Sequence, residues 1–360
     1  TLFVLSINFF DSFLNEITFS KNVILKTFFY LRYFILYFVL RVLVHQKILR
    51  LDYFLLACAC CAFFVCFDIL FQFVVGKNIV GMVPSSDRHF TGVFGDEYIA
   101  GGYLQKFALF TFFLPFVLKK NFFHKSSIQI ALFILFVFGI ILSGNRMPFF
   151  LFIFSFLIFS IIQKEIRKYF LSILILILLF SSLNYNLNQN FKLRIDSFYN
   201  HGKLAVNSFF IKDILNHPQK KEILAKPYVS EFFCARLAIK KNPIFGGGIR
   251  SYRTFRSGCN THPHNYYFEI LAELGIVGFS IILILLFSLF RKIFIKNVTP
   301  LKFSLNHLDD RAIPFFLILF IEFFPLRTSG SFFATNNASV IFIILAILVS
   351  IISKKKLFDY

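Results

Sequence analysis

The chain has 360 residues, of which 58% are hydrophobic and 16% charged, with a formal net charge of +20 and a mean hydropathy of +0.73. A water-soluble domain carries charge on roughly a quarter of its residues, so this composition excludes one. The positive charge does not point to nucleic acid, because the Lys and Arg residues cluster in short segments between apolar blocks. Phe is heavily used (58 residues) and Trp is absent, which reads as a codon bias toward A and T and leaves Tyr for any interfacial belt.

In chain order, the apolar blocks predict nine membrane-spanning helices near 22–44, 52–75, 98–118, 127–143, 148–163, 168–183, 266–290, 312–326 and 338–353. Blocks of this length suit a hydrocarbon layer of about 30 Å, and lipid leaves backbone polar groups no partner outside the helix. The first block is the weakest, since Lys26, Arg32 and Arg41 interrupt it. Residues 1–20 form a further marginal stretch without the marks of a signal peptide. With no initiator Met, the expectation is a shortened N-terminus. The fold class expected is therefore all-α: a polytopic transmembrane helical bundle of nine to ten spans with a large, partly helical periplasmic loop. Its parts are an N-terminal bundle (1–183), the loop (184–265) and C-terminal helices (266–360).

Charge sets the orientation. Lys47 and Arg50, Lys119, Lys120 and Lys125, Lys164, Arg167 and Lys168, Arg291, Lys292, Lys296 and Lys302, and Lys354–Lys356 all fall on one side of the nine-span arrangement. That side is cytoplasmic by the positive-inside rule. The segments 76–97, 143–148, 184–265 and 327–337 then face outward. In the long loop, Glu231–Ile239 is an apolar run of helical character that Asn242–Pro243 should end.

Four outward clusters carry candidate chemistry. In the first, THPHNYYFEILAELGIVG, His264 and Asn265 stand where the loop re-enters the membrane, with Gly275 and Gly278 further along the same helix. A His titrates near neutrality and can take a hydroxyl proton; it can equally be an interfacial His making one hydrogen bond. The glycines are expected to allow close helix contact. The second cluster is the turn Ser143-Gly144-Asn145-Arg146, whose Arg146 fork suits a diphosphate or anchors the helix end at the headgroups. Arg236, the Gly246–Gly248 turn, Arg250 and Arg253 form the third, an anion cradle in outline or a turn with solvated charges. The fourth is Arg88, Asp96 and Glu97, which hold an acceptor sugar or simply line a solvated loop.

Glu269 and Glu273 follow Asn265 at four-residue steps and share its helix face. As carboxylates within a span they are functional candidates, although neutralising nearby Arg residues accounts for them better. Asp68, Lys106 and Glu322 are the other intramembrane charges, and Asp309–Asp310 the one adjacent Asp pair, expected on the cytoplasmic side. Cys234 and Cys259 share the outer loop, whose compartment permits a disulfide.

The sequence around His264 resembles the O-antigen ligase and polymerase family. The family pattern is His, then Asn, Ser or Gln, nine residues, Gly, two residues, and Gly, Thr or Tyr; His264, Asn265, Gly275 and Gly278 fill it. The SGNR turn at 143–146, the Asn242–Gly248 stretch and Arg236 are similar to further family features, so the likeness runs over roughly 88–290. It implies a membrane glycosyltransferase that moves a glycan from an undecaprenyl-diphosphate carrier to a hydroxyl acceptor, either lipid A–core or a growing surface polysaccharide. Transfer would occur at the periplasmic face of the bacterial inner membrane, with inversion and no metal or other cofactor. In these terms His264 is the base and Arg146 the diphosphate clamp, assisted by Arg250, Arg253 and Arg236. A transporter or flippase of lipid-linked sugar is the alternative from another class.

Overall fold

The structure, a computed structural model, describes residues 21–84, 89–118, 126–162, 227–255, 259–297, 311–328 and 330–354, with scattered positions between 175 and 203. Every regular element among the described residues is helical. We number them α1 (Lys21–Tyr30), α2 (Arg32–His45), α3 (Leu51–Val75), α4 (Ala100–Leu118), α5 (Ser126–Leu142), α6 (Arg146–Ile162), α7 (Pro227–Lys241), α8 (Tyr266–Asn297), α9 (Ala312–Glu322) and α10 (Thr335–Lys354). Two short 3-10 turns, Gly92–Phe94 and Ser251–Thr254, lie in the connections.

Four segments are long and apolar enough to cross a membrane: Leu25–His45, Leu51–Val75, Tyr266–Ile293 and Thr335–Ser353. Their outer surfaces keep Phe28, Ile35, Phe38, Phe64, Leu285 and Phe287 exposed, an apolar display that water would not tolerate but lipid does. The chain is a multi-pass membrane protein. Eight of the nine expected spans fall on described helices: four are the long segments above, three are shorter apolar helices at Gln129–Leu142, Arg146–Phe159 and Ala312–Glu322, and one is α4, which is in neither group. The ninth, 168–183, lies almost wholly outside the described residues, as do Arg88 and Asp309–Asp310. One expected span is shorter than its apolar block. Helix α9 has 11 residues and ends at Glu322, because Pro325 follows and disfavours helical backbone before it.

Local chemistry accounts for the helix ends. Helix α3 closes on Gly76, whose φ of 80° lets its N–H bond the Gln72 carbonyl at 2.9 Å, the left-handed cap that glycine favours. Pro148 sits in the first turn of α6 and Pro227 opens α7, where a missing N–H costs no helical bond.

The chain divides into two compact units. One comprises 1–36, 175–291 and 323–342; the other comprises 37–174, 292–322 and 343–360. The second is cored by Phe rings: Phe112 meets Phe156 at 4.5 Å, Phe133 meets Phe156 at 4.8 Å and Phe110 meets Phe315 at 5.1 Å. Edge-on ring packing of this kind gives the abundant Phe a structural use. Within the same unit, Asp68 accepts the Ile79 N–H at 2.7 Å, and Lys106 pairs with Glu322 at 2.9 Å.

Candidate active site

The first unit contains the junction where the chain returns from α7 to α8. Helix α8 is broken at Gly275, which has φ 65° and ψ −171°. A break inside an apolar helix strips backbone groups of their partners, and these must be satisfied elsewhere. The segment Pro243–Gly248 satisfies them. Gly247 and Gly248 donate to the Ala272 and Glu273 carbonyls at 3.0 and 2.9 Å, while Ile276 and Val277 donate to the Pro243 and Ile244 carbonyls at 2.9 and 3.2 Å.

The approach is close enough to demand glycine on both sides. A Cβ on Gly275 would lie 2.2 Å from the Ile244 carbonyl oxygen, and one on Gly246 (φ 72°) would lie 2.4 Å from the Glu273 carbonyl carbon. The glycine-rich turn and the glycine of the His264 motif are thus two halves of one backbone joint. This corrects the expectation that Gly275 and Gly278 serve helix–helix contact: Gly275 receives the loop backbone, and a Cβ on Gly278 would strike Leu274 of its own helix at 2.4 Å.

Buried side chains on the near half of α8 fix what surrounds the joint. Asn265 caps the helix, its Oδ1 accepting the Tyr267 and Phe268 N–H groups at 3.0 and 3.3 Å, as an N-cap Asn does. Its Nδ2 donates to the Pro325 carbonyl at 2.8 Å. Glu269 accepts from the Ser331 hydroxyl and the Phe332 N–H, both at 2.5 Å. Glu273 accepts the Arg250 N–H at 2.6 Å. The two carboxylates therefore hold backbone, and Arg250 and Arg253 lie close enough to act on the charge of Glu269.

His264 stands immediately before the cap in left-handed backbone, φ 48°. Non-glycine residues adopt that region at a cost and keep it where surrounding structure enforces it. Its Nε2 lies 3.5 Å from Oε1 of Glu231, a carboxylate on α7 whose side chain is 3% exposed. Asn260 donates to the same oxygen at 2.5 Å. The His262 ring lies 4.2 Å from that of His264, and a Cys234–Cys259 bridge, Cα to Cα 6.0 Å, ties α7 to this segment.

Burial sets the protonation states. It lowers His264 below its usual range, and lowers His262 to about 4 with help from His264 and Arg253. It raises Glu231 to about 7 against the opposing Asn260 bond. An imidazole kept neutral near pH 7 can accept a proton. Glu231 was missed as a site residue in the sequence because it opens an apolar run. The available signal was its register: three, four and seven residues on, Cys234, Ala235 and Ala238 form the buried face of α7.

The remaining candidates divide between the units. Arg236 is half-buried on α7, Arg250 is half-buried with φ 66°, and Arg253 is exposed on the 3-10 turn. Arg250 also lines a cavity of about 210 Å³ with Lys26, Arg32, Tyr30 and Tyr33, so two of the cations that weaken the first apolar block face a polar space. Arg146, Asp96 and Glu97 belong to the other unit. Arg146 is the first residue of α6, exposed, after a turn in which Asn145 donates to the Tyr98 carbonyl at 2.7 Å. Asp96 and Glu97 are exposed ahead of α4.

The family model described as O-antigen ligase matches residues 131–283. That stretch holds Arg146, Arg236, Arg250, Arg253, His264, Asn265, Gly275 and Gly278, and leaves Arg88, Asp96 and Glu97 outside. Neither the curated proteins nor the solved structures contain a match to the chain.

Proposed function

We propose, from the match of residues 131–283 to the family model described as O-antigen ligase, that this chain is a glycosyltransferase acting on an undecaprenyl-diphosphate-linked glycan at the periplasmic face of the inner membrane. The acceptor is a hydroxyl of lipid A–core or of a growing O-antigen or surface polysaccharide. His264 takes the proton of that hydroxyl as its oxygen attacks the anomeric carbon. The bond from that carbon to the diphosphate breaks, undecaprenyl diphosphate leaves, and the anomeric configuration inverts. Arg146, Arg250 and Arg253, with Arg236, hold the charge that grows on the leaving diphosphate. Arg88, Asp96 and Glu97 contact the glycan substrates, Asn265 fixes the end of α8 beside the base, and Gly275 and Gly278 shape the joint. Transfer of this kind proceeds without a metal.

The observation that carries this reading is His264 itself: an imidazole held in left-handed backbone at the head of an apolar helix, 3.5 Å from the Glu231 carboxylate and within the family-matched stretch. Two further observations support it. The Cys234–Cys259 bridge suits an oxidising compartment, which favours the outward assignment of 184–265 between the bundles 1–183 and 266–360. Among the described residues, four intramembrane carboxylates are engaged: Glu322 with Lys106, Asp68 with the Ile79 N–H, Glu269 with Ser331 and Phe332, and Glu273 with the Arg250 N–H. A transporter or flippase would need sites free to exchange partners.

Incubating the purified protein in lipid nanodiscs with undecaprenyl-diphosphate glycan, an oligosaccharide acceptor and EDTA tests the proposal. Product with inverted linkage is expected. Carrier-linked glycan that crosses a sealed vesicle membrane but is never transferred would replace the reading with transport.

A further inference from the structure

The mechanism above leaves Glu231 unused, although its burial is costly. The carboxylate is 3% exposed, Asn260 engages Oε1, and Oε2 is buried without a hydrogen-bond partner among the described residues. An unpaired buried oxygen carries a desolvation penalty that structural roles avoid. Three features aim this carboxylate at one neighbour. Helix α7 sets it one turn before Cys234, the Cys234–Cys259 bridge draws the 259–264 segment onto that helix, and the left-handed backbone of His264 turns the imidazole so that Nε2 lies 3.5 Å from Oε1.

We propose that Glu231 is a positioning residue for His264: its carboxylate takes the Nε2–H of the imidazole, leaving the lone pair on Nδ1 to receive the acceptor proton. This rests on the reading of His264 as the base. The proton moves from the acceptor hydroxyl to Nδ1, the Nε2–H stays in place, and the imidazolium formed is held by the Glu231 carboxylate. A separation of 3.5 Å is loose for a neutral ring and closes as the ring gains charge, as catalytic contacts do between resting and reacting states. The logic is that of a nucleophile's base oriented by a third group.

Among the described residues, Glu231 is faced by groups from two neighbouring segments. They are Asn260 and His264 from the disulfide-tethered segment and Tyr252 from the 3-10 turn, whose hydroxyl donates to the Glu231 carbonyl at 3.4 Å. His262 and Arg253 act one step further out. Transfer then requires Glu231 ionised and His264 neutral. Since burial raises Glu231 to about 7, the acid limb of the turnover profile should have its midpoint near neutrality.

The test compares Glu231→Gln, Asn260→Ala and His264→Ala with wild type, by kcat and donor KM from pH 5.5 to 8.5. It adds ¹⁵N-imidazole NMR of the whole protein, in which the His264 signal is the one absent from His264→Ala. In Glu231→Gln we expect kcat to fall about 10–100-fold, the range typical for removing an orienting partner, with donor KM unchanged and the acid limb moved to lower pH. Asn260→Ala should move the limb upward, because Glu231 loses the bond that favours its charge. Wild type should show His264 as the Nε2–H tautomer, and Glu231→Gln should lose that preference.

Wild-type kcat in Glu231→Gln, a fall with an unmoved limb, or an Nδ1–H tautomer in wild type would each overturn the proposal. If Glu231→Gln does not fold, the Asn260→Ala limb and the wild-type tautomer decide it. Full activity of His264→Ala would instead remove the base on which the proposal rests, whereas an inactive His264→Ala beside a normal Glu231→Gln would remove Glu231 alone.

Discussion

The two motif-bearing turns, Ser143–Arg146 and the joint around Gly275, solve one problem by opposite means. Each must bring a basic side chain to the end of an apolar helix. The 143–146 turn does so with local bonds: Ser143 N–H to the Gly139 carbonyl at 3.1 Å, Gly144 N–H to the Ile141 carbonyl at 3.0 Å and Ser143 hydroxyl to the Ile140 carbonyl at 2.7 Å. It leaves Arg146 exposed at the start of α6. The joint uses contacts distant in sequence, from Pro243–Gly248 to Ala272–Val277, from Glu269 to Phe332, and from Asn265 to Pro325. Its basic group, His264, is fixed on the backbone and by its neighbours. On the roles proposed above, an exposed Arg suits a diphosphate that arrives and leaves, whereas a base must meet one proton in one geometry.

Substitutions should separate the two turns, most sharply at the joint. Gly275→Ala forces a side chain into left-handed backbone, worth about 1–3 kcal/mol alone, and onto the Ile244 carbonyl at 2.2 Å. We expect little folded protein in detergent, as read by size-exclusion chromatography. Reducing the Cys234–Cys259 bridge, which spans 25 residues, should remove about 3 kcal/mol, seen as a lower Tm with dithiothreitol that is absent in the Cys234→Ser, Cys259→Ser double variant. Glu269→Ala strands the Ser331 hydroxyl and the Phe332 N–H, and should lower stability by about 1–3 kcal/mol. Arg146→Ala, by contrast, should leave Tm unchanged while transfer falls about 10²–10³-fold, the usual loss for one preorganised charge donor.

A further effect concerns pH. His262 is held at about 4 in the fold against an ordinary value of 6.5. The unfolded chain takes a proton that the folded loop refuses as pH falls between those values, so stability should decline over that window. His262→Asn should flatten that part of a Tm-against-pH plot.

The apolar blocks were legible because a helix in lipid is specified by its own residues. Hence α3, α4, α5 and α10 lie where composition puts them. The end of α7 was legible at Asn242–Pro243 for the same local reason. The pairing of Gly246 with Gly275 was not, because glycine at spacing within a helix reads as helix contact and nothing local announces a break. Glu231 was hidden because its partner is 33 positions away, brought near by a bridge whose geometry only the fold supplies. Lys26 and Arg32 read as defects in a span, and acquire a place only once the cavity beside Arg250 exists.

The measurement that tests the central claim most directly is transfer kinetics of His264→Ala and Arg146→Ala beside wild type, in EDTA, with donor binding followed separately by photo-crosslinking. We expect His264→Ala to lose about 10²–10⁴-fold in kcat, the span of general-base assistance, while still crosslinking donor. Arg146→Ala should lose both transfer and donor affinity. Wild-type turnover in His264→Ala would contradict the account, for the joint would then hold a histidine that the reaction does not use.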